Sequence, residues 1–260
     1  MNLGSGYGKR MTCRSLAIAL AALIFAALPG VATASSQTAS ATGVANVQGK
    51  SVLVEVFVEV PRGQSARAAT NAALAEQGAQ PQPPPDPGGP GFTGLFWDAL
   101  PVVQGYNPAG QPVAGESLLQ ATQATWSSVP GSGFEMIYGG RTFRCPSIVS
   151  ECPGPQRLDG RNDVGWAPLA GGTLGVTWST ISGTDEADMA LSTRVPWSTG
   201  CANYAGRFDA QTVLLHENGH VAGLGHASST ASLMYPSYLG ARCSLGTLDQ
   251  QAIRALYTSS

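Results

Sequence analysis

An α+β fold follows from the order of local patterns along the chain. Short strand-like runs come first and helical patterns dominate later. Residues 52–60 (VLVEVFVEV) alternate and are β-branched, the clearest strand signal. Residues 102–106, 134–138, 174–178 and 189–191 are shorter strand candidates between glycine-rich turns. Four stretches read as helices. Residues 65–77 are Ala-rich, and residues 116–126 (ESLLQATQATW) carry apolar side chains at helical spacing. Asp209 is placed to cap a helix from Gln211 to about Ala222. Thr247 to Gln250 fits a T-x-x-Q capping box opening a last helix that ends near Tyr257.

The 260 residues are 43% hydrophobic, enough for a packed core. Only 12% are charged and the net charge is −2, which argues against a nucleic-acid partner, because phosphates demand a basic face. The amino-terminal residues have the layout of a secretory signal. Lys9, Arg10 and Arg14 precede an apolar run over residues 16–28, broken by Pro29 and Gly30, and Ala32-Thr33-Ala34 supplies a cleavage site. An apolar helix of that length spans about 20 Å, short of a bilayer core of roughly 30 Å. Cleavage near Ala34 is therefore expected, giving an exported protein (extracellular or periplasmic) without a membrane anchor.

In an oxidising compartment the cysteines that remain, Cys145, Cys152, Cys201 and Cys243, read as two disulfides. Three pairings exist, of which Cys145–Cys152 and Cys201–Cys243 are favoured. Residues 35–50 are small and polar and read as a flexible start, and residues 81–91 (PQPPPDPGGPG) read as a linker. The expected organisation is a signal at 1–34, a strand–helix segment with its linker at 35–91, and a main domain at 92–260. The middle segment is too small to stand alone; it is either a pro-segment or a piece that docks on the main domain.

All three histidines of the chain lie in residues 216–226, HENGHVAGLGH, an HExxHxxGxxH array. His216 and His220 are four residues apart, so on a helix they share one face and can bind one metal ion. Gly223 can adopt positive φ, letting the helix stop and the chain turn so that His226 becomes a third ligand. Three imidazoles leave a fourth position open to water, the catalytic zinc arrangement rather than the closed structural one. Zinc would acidify that water and polarise a scissile carbonyl, with Glu217 as general base passing the proton to the leaving amine.

This array resembles the metzincin signature, and residues 232–238 (SLMYPSY) resemble the Met-turn and following wall segment of matrixins. The resemblance implies a short mixed twisted sheet, a long active-site helix, a Met-turn and a C-terminal helix. It further implies that Met234 forms an apolar floor beneath the imidazoles, and that Pro236 and Tyr238 line the pocket for the residue after the scissile bond. Residues 248–257 resemble the closing matrixin helix, and residues 162–166 and 186–189 resemble strands of bacterial members. Departures matter too. No histidine remains for a second, structural zinc, no cysteine stands where thiol latency would need one, and no hemopexin-like repeats are expected. Asp159, Asp163, Asp185, Glu186 and Asp188 offer oxygens to calcium but read equally as solvated carboxylates, so Ca2+ stays unassigned. The five tryptophans read as core and cleft packing.

The sequence thus predicts a secreted zinc metalloendopeptidase, monomeric, acting on protein or peptide substrates. The rival reading is a secreted zinc-binding or adhesion module with degenerate activity, against which the intact Glu217 argues.

Overall fold

The computed structural model describes residues 36–83, 91–146, 158–181 and 185–258. The signal-like residues 1–34, most of the linker and Cys152 lie outside them. Along the chain run β1 (Thr38–Val47), β2 (Lys50–Glu59), α1 (Ala66–Glu76), β3 (Gln80–Pro81), β4 (Val102–Tyr106), α2 (Gly115–Ser127) and β5 (Met136–Arg141). There follow β6 (Asn162–Ala167), β7 (Thr173–Thr180), β8 (Ala187–Ser192), β9 (Trp197–Ser198), β10 (Phe208–Asp209), α3 (Ala210–Val221) and α4 (Thr247–Leu256). Among these residues no helix is long and apolar enough to cross a membrane.

One eight-stranded mixed sheet, ordered β3-β1-β2-β7-β8-β6-β4-β5, organises the molecule. The half from β8 to β5 is parallel, whereas β7 runs antiparallel to β8 and β2 antiparallel to β7. Strand β2 explains the layering. Its Val52, Val54, Val56 and Val58 point to one face, where Ala69, Ala73 and Leu74 of α1 cover them. Phe57 points to the other face and joins the larger core with Trp126 of α2 and Leu214 of α3.

The described part of residues 35–50 is not the flexible start expected. Residues 38–47 form β1, a full partner of β2 from Thr38↔Glu59 to Val47↔Lys50. The hairpin closes through Gln48 and Gly49 with φ of 53° and 80°, the two-residue turn that right-twisted strands favour. The small side chains that suggested flexibility are what allow this close pairing. Leu74 and Ala79 press against Gly43, where even a methyl group would meet a carbon at 2.8 Å.

Both helix ends around the histidines are specified locally. Asp209 accepts the Thr212 N–H at 2.8 Å and caps α3. At the other end Gly223 has φ +92°, and the Gly223→His220 and Leu224→Gly219 backbone bonds, both 2.9 Å, form a Schellman closure. The expected cap of α4 is displaced by one residue. Gly246, not Thr247, is the capping position, and its N–H donates to Asp249 Oδ2 at 2.7 Å.

Candidate metal centre

Helix α3 is buried along nearly its whole length, so its polar side chains must be satisfied internally. Asn218 is held by Gln104 Nε2 at 3.0 Å and donates to Thr122 Oγ1 at 2.8 Å, and Gln123 closes the network on Gln104 at 2.9 Å. Trp126 Nε1 donates to the Leu215 carbonyl at 2.9 Å. At the helix end Trp97 Nε1 and Tyr257 Oη donate to the carbonyls of Val221 and Ala222 at 2.7 and 3.1 Å. Every contact fixes the rotation of α3, and therefore the direction of His216, Glu217 and His220.

The three imidazoles converge. Their candidate ligand nitrogens all lie within 4.8 Å of one another. His216 Nε2 and His220 Nε2 are 3.1 Å apart. The Nδ1 atoms of these two rings meet the carbonyls of Leu233 and Leu224 at 2.9 and 2.8 Å, which leaves each Nε2 facing the common point. His226 is brought in by the Gly223 turn, and a second segment pins that turn. Thr93 N and Oγ1 both donate to the Gly223 carbonyl, Gly225 N donates to the Gly91 carbonyl at 2.8 Å, and Phe92 bridges Leu224. Gly91 is required there, since a Cβ would sit 2.3 Å from the His226 carbonyl oxygen.

The donor set fits a zinc ion. Among the described residues His226 Nε2 and Glu217 Oε1 are buried without a hydrogen-bond partner, an unfavourable arrangement unless a cation meets them. Burial lowers the pKa of all three histidines, His216 to about 4, His226 to about 3 and His220 well below its usual 6.5. They are therefore neutral at physiological pH, the state that metal binding requires. Burial also raises Glu217 to about 8 in the metal-free protein, partly offset by Thr177 Oγ1, which donates to Glu217 Oε2 at 2.6 Å. Gly175, two residues before Thr177 on β7, makes room for the same carboxylate; a Cβ there would lie 2.9 Å from Glu217 Oε1.

Met234 is buried against α3 beside the histidines, its thioether so close to Gly219 that a Cβ on that glycine would lie 2.3 Å from sulfur. Tyr238 Oη accepts the Asp209 N–H at 3.0 Å and its ring packs edge-on against Phe208, so Tyr238 sits between the cap of α3 and the segment after the Met-turn. Pro236 borders a cavity of about 790 Å³ between β1, α1 and His226.

The Cys201–Cys243 disulfide is present. Cys145 is also disulfide-bonded, and its expected partner lies outside the described residues. Of the carboxylates weighed for calcium, Asp163 N–H donates to Asp188 and Gly160 N–H to Glu186, while Asp185 pairs with Lys50 at the surface. Sequence reasoning missed Thr177, Asp249 and Glu55. The first two act through contacts remote in sequence, and Glu55 carried a visible signal as one of two acidic residues inside an otherwise apolar run.

A neutral three-histidine cluster on a helix and its exit turn, with a carboxylate adjoining, defines a metallopeptidase-type centre. Residues 167–258 match the family model described as matrixin. No curated protein matches the sequence. Matrixins hold a catalytic zinc ion, and the cluster of His216, His220 and His226 could hold a metal ion.

Proposed function

We propose that the protein is an exported zinc-dependent endopeptidase that hydrolyses protein or peptide substrates. The observation that carries this reading is the convergence of three neutral imidazoles with the unpartnered Glu217 Oε1. His216, His220 and His226 would hold one zinc ion, which when bound supplies a Lewis acid that polarises a carbonyl and acidifies water. Glu217 then has the role of proton carrier, taking a proton as a peptide bond is attacked and giving it to the departing amine. Thr177 holds one oxygen of that carboxylate, leaving Oε1 free to act. Pro236 and Tyr238 are proposed as the wall of the pocket for the residue after the cleaved bond, and Met234 as the floor of the centre. The apolar run before Ala34, together with the disulfide, supports export.

The test is Glu217→Gln in the full chain. It should retain about one zinc per molecule and lose peptide hydrolysis by several powers of ten. Undiminished cleavage would remove Glu217 from the chemistry. Zinc binding by the unmodified protein without cleavage of any member of a peptide library, under conditions that expose the centre, would favour a binding module instead.

A further inference from the structure

Between β9 and β10 the chain runs through residues 199–207, an exposed loop that contributes no side chain to either hydrophobic core. Its ends are fixed by the Trp197↔Phe208 pairing and by Arg207 Nη1, which donates to the Trp197 carbonyl at 3.0 Å. Within it Cys201 holds φ at 56°, a left-handed backbone uncommon outside glycine. Such a conformation persists only where the surroundings over-determine it. The disulfide to Cys243 does so here, together with the Cys201 N–H, which donates to Asp209 Oδ2 at 3.1 Å.

Two ties leave this loop for the residues after Tyr238. The disulfide reaches Cys243, and Asn203 Oδ1 accepts the Ala241 N–H at 2.6 Å. Gly240 is needed beneath that bond, since its φ is +116° and a Cβ there would lie 2.9 Å from Asn203 Oδ1. The next amide, Arg242 N–H, donates to Thr212 Oγ1 at 2.8 Å. Residues 239–243 belong to no strand or helix, so these ties replace the ladder that would otherwise satisfy and fix their backbone. On the other side Ser237 Oγ and Tyr238 N–H donate to Thr38.

The segment held in this way walls a crevice beside His216, lined by Thr212, Tyr238, Leu239, Gly240 and Arg242. The Phe57 ring, 4.9 Å from that of His216, fills the crevice to within about 10 Å³, so its walls are spaced for one aromatic ring. An exposed loop that builds no core, yet spends a disulfide and a side-chain hydrogen bond on one irregular segment, acts on the position of that segment. Resting on the proposed peptidase reading, we propose that Cys201, Cys243 and Asn203 are positioning residues that set the width of this pocket, and with it the largest side chain accepted after the cleaved bond. An apolar slot discriminates by fit, so a wall that yields admits a bulkier residue and grips the fitting one less well. The histidines and Glu217 are not disturbed by the change, because α3 keeps its own ties through Asn218, Leu215 and Val221.

The test uses the zinc-loaded full chain, under conditions that expose the centre, and two peptides that differ only in carrying Phe or Trp after the scissile bond. Wild type should prefer Phe. In Cys201→Ser/Cys243→Ser the KM for the Phe peptide should rise about tenfold with kcat within about twofold, and the Trp-to-Phe ratio of kcat/KM should rise about tenfold, at unchanged zinc content. Asn203→Ala should move both quantities the same way by less. Asn203→Asp, which keeps an acceptor for the Ala241 N–H, should return toward wild type, and Thr199→Ala, elsewhere on the loop, should match it. Hydrogen exchange of the Ala241 and Arg242 amides should quicken in the double variant and in Asn203→Ala, with the α3 amides unchanged. A disulfide that serves stability alone would lower the unfolding midpoint and leave the Trp-to-Phe ratio where it was; that result in a folded variant overturns the proposal. So does a loss of zinc with the disulfide, or a wild type that accepts Trp as readily as Phe. Should the double variant fail to fold, Asn203→Ala decides, and an unchanged ratio with unchanged exchange overturns the proposal. A zinc-loaded wild type that cleaves no member of a peptide library would instead remove the peptidase reading, and the specificity role with it.

Discussion

Asp249 is the residue whose loss should spread furthest from a single buried atom group. It is 2% exposed and accepts hydrogen bonds from Ser232 Oγ, from Leu233 N–H at 2.8 Å and from Gly246 N–H at 2.7 Å, with Met234 N–H at 3.4 Å. It thus ties the start of α4 to the segment whose Leu233 carbonyl meets His216 Nδ1. Asp249→Ala leaves the buried Leu233 N–H and the part-buried Gly246 N–H unpaired, each costing about 1–3 kcal/mol, and removes the bond to Ser232. The expected loss is roughly 4 kcal/mol, a large fraction of a typical folding stability of about 5–15 kcal/mol. Because His216 loses its indirect support, zinc affinity should fall about tenfold. Denaturant unfolding of the metal-free protein measures the first quantity and competition with a chromophoric chelator the second. A loss below about 1 kcal/mol with unchanged zinc affinity would refute the argument that Asp249 positions the segment from Ser232 to Met234.

Further expectations test the neighbouring contacts. Gly219→Ala drives a methyl group into the Met234 thioether and the Trp126 ring; it should cost about 1–3 kcal/mol by overpacking, read as a lowered denaturation midpoint. Thr177→Val removes the bond that steadies Glu217 and should reduce kcat about tenfold with zinc content unchanged, as measured by metal analysis beside steady-state kinetics. In the metal-free protein Glu217 keeps its proton up to about pH 8 against 4.5 when unfolded, so its stabilising contribution is complete below pH 4.5 and lost as pH rises through 8. Glu217→Gln should therefore gain on wild type by as much as roughly 5 kcal/mol between pH 4.5 and 8; parallel pH–stability curves would contradict this. Reducing Cys201–Cys243, which closes a 42-residue separation, should cost roughly 4 kcal/mol in the loop-closure picture, seen as a lower unfolding midpoint after mild reduction.

The sequence exposed those features whose cause is local. The cap Asp209, the positive-φ Gly223 and the two histidines four residues apart depend on a few neighbouring residues, and all appear where their spacing put them. What depends on pairing across the chain was not legible. Residues 38–47 look flexible by composition, yet they become a strand because β2 offers a complete partner. Thr247 and Gln250 satisfied a capping pattern, but Asp249 is drawn to Gly246 because it also serves Ser232 and Leu233. The fourth side of the histidine cluster was expected to face water. Which segment lies on the β7 edge is set by strand pairing between residues more than a hundred positions apart, and no local pattern encodes it.

X-ray absorption at the zinc edge of the full-length protein tests the centre most directly. Three imidazole nitrogens at about 2.0–2.1 Å, completed by oxygen and with one ion per chain, are the predicted result. A sulfur shell near 2.3 Å, or an ion bound equally well after His216, His220 and His226 are all replaced, would contradict it.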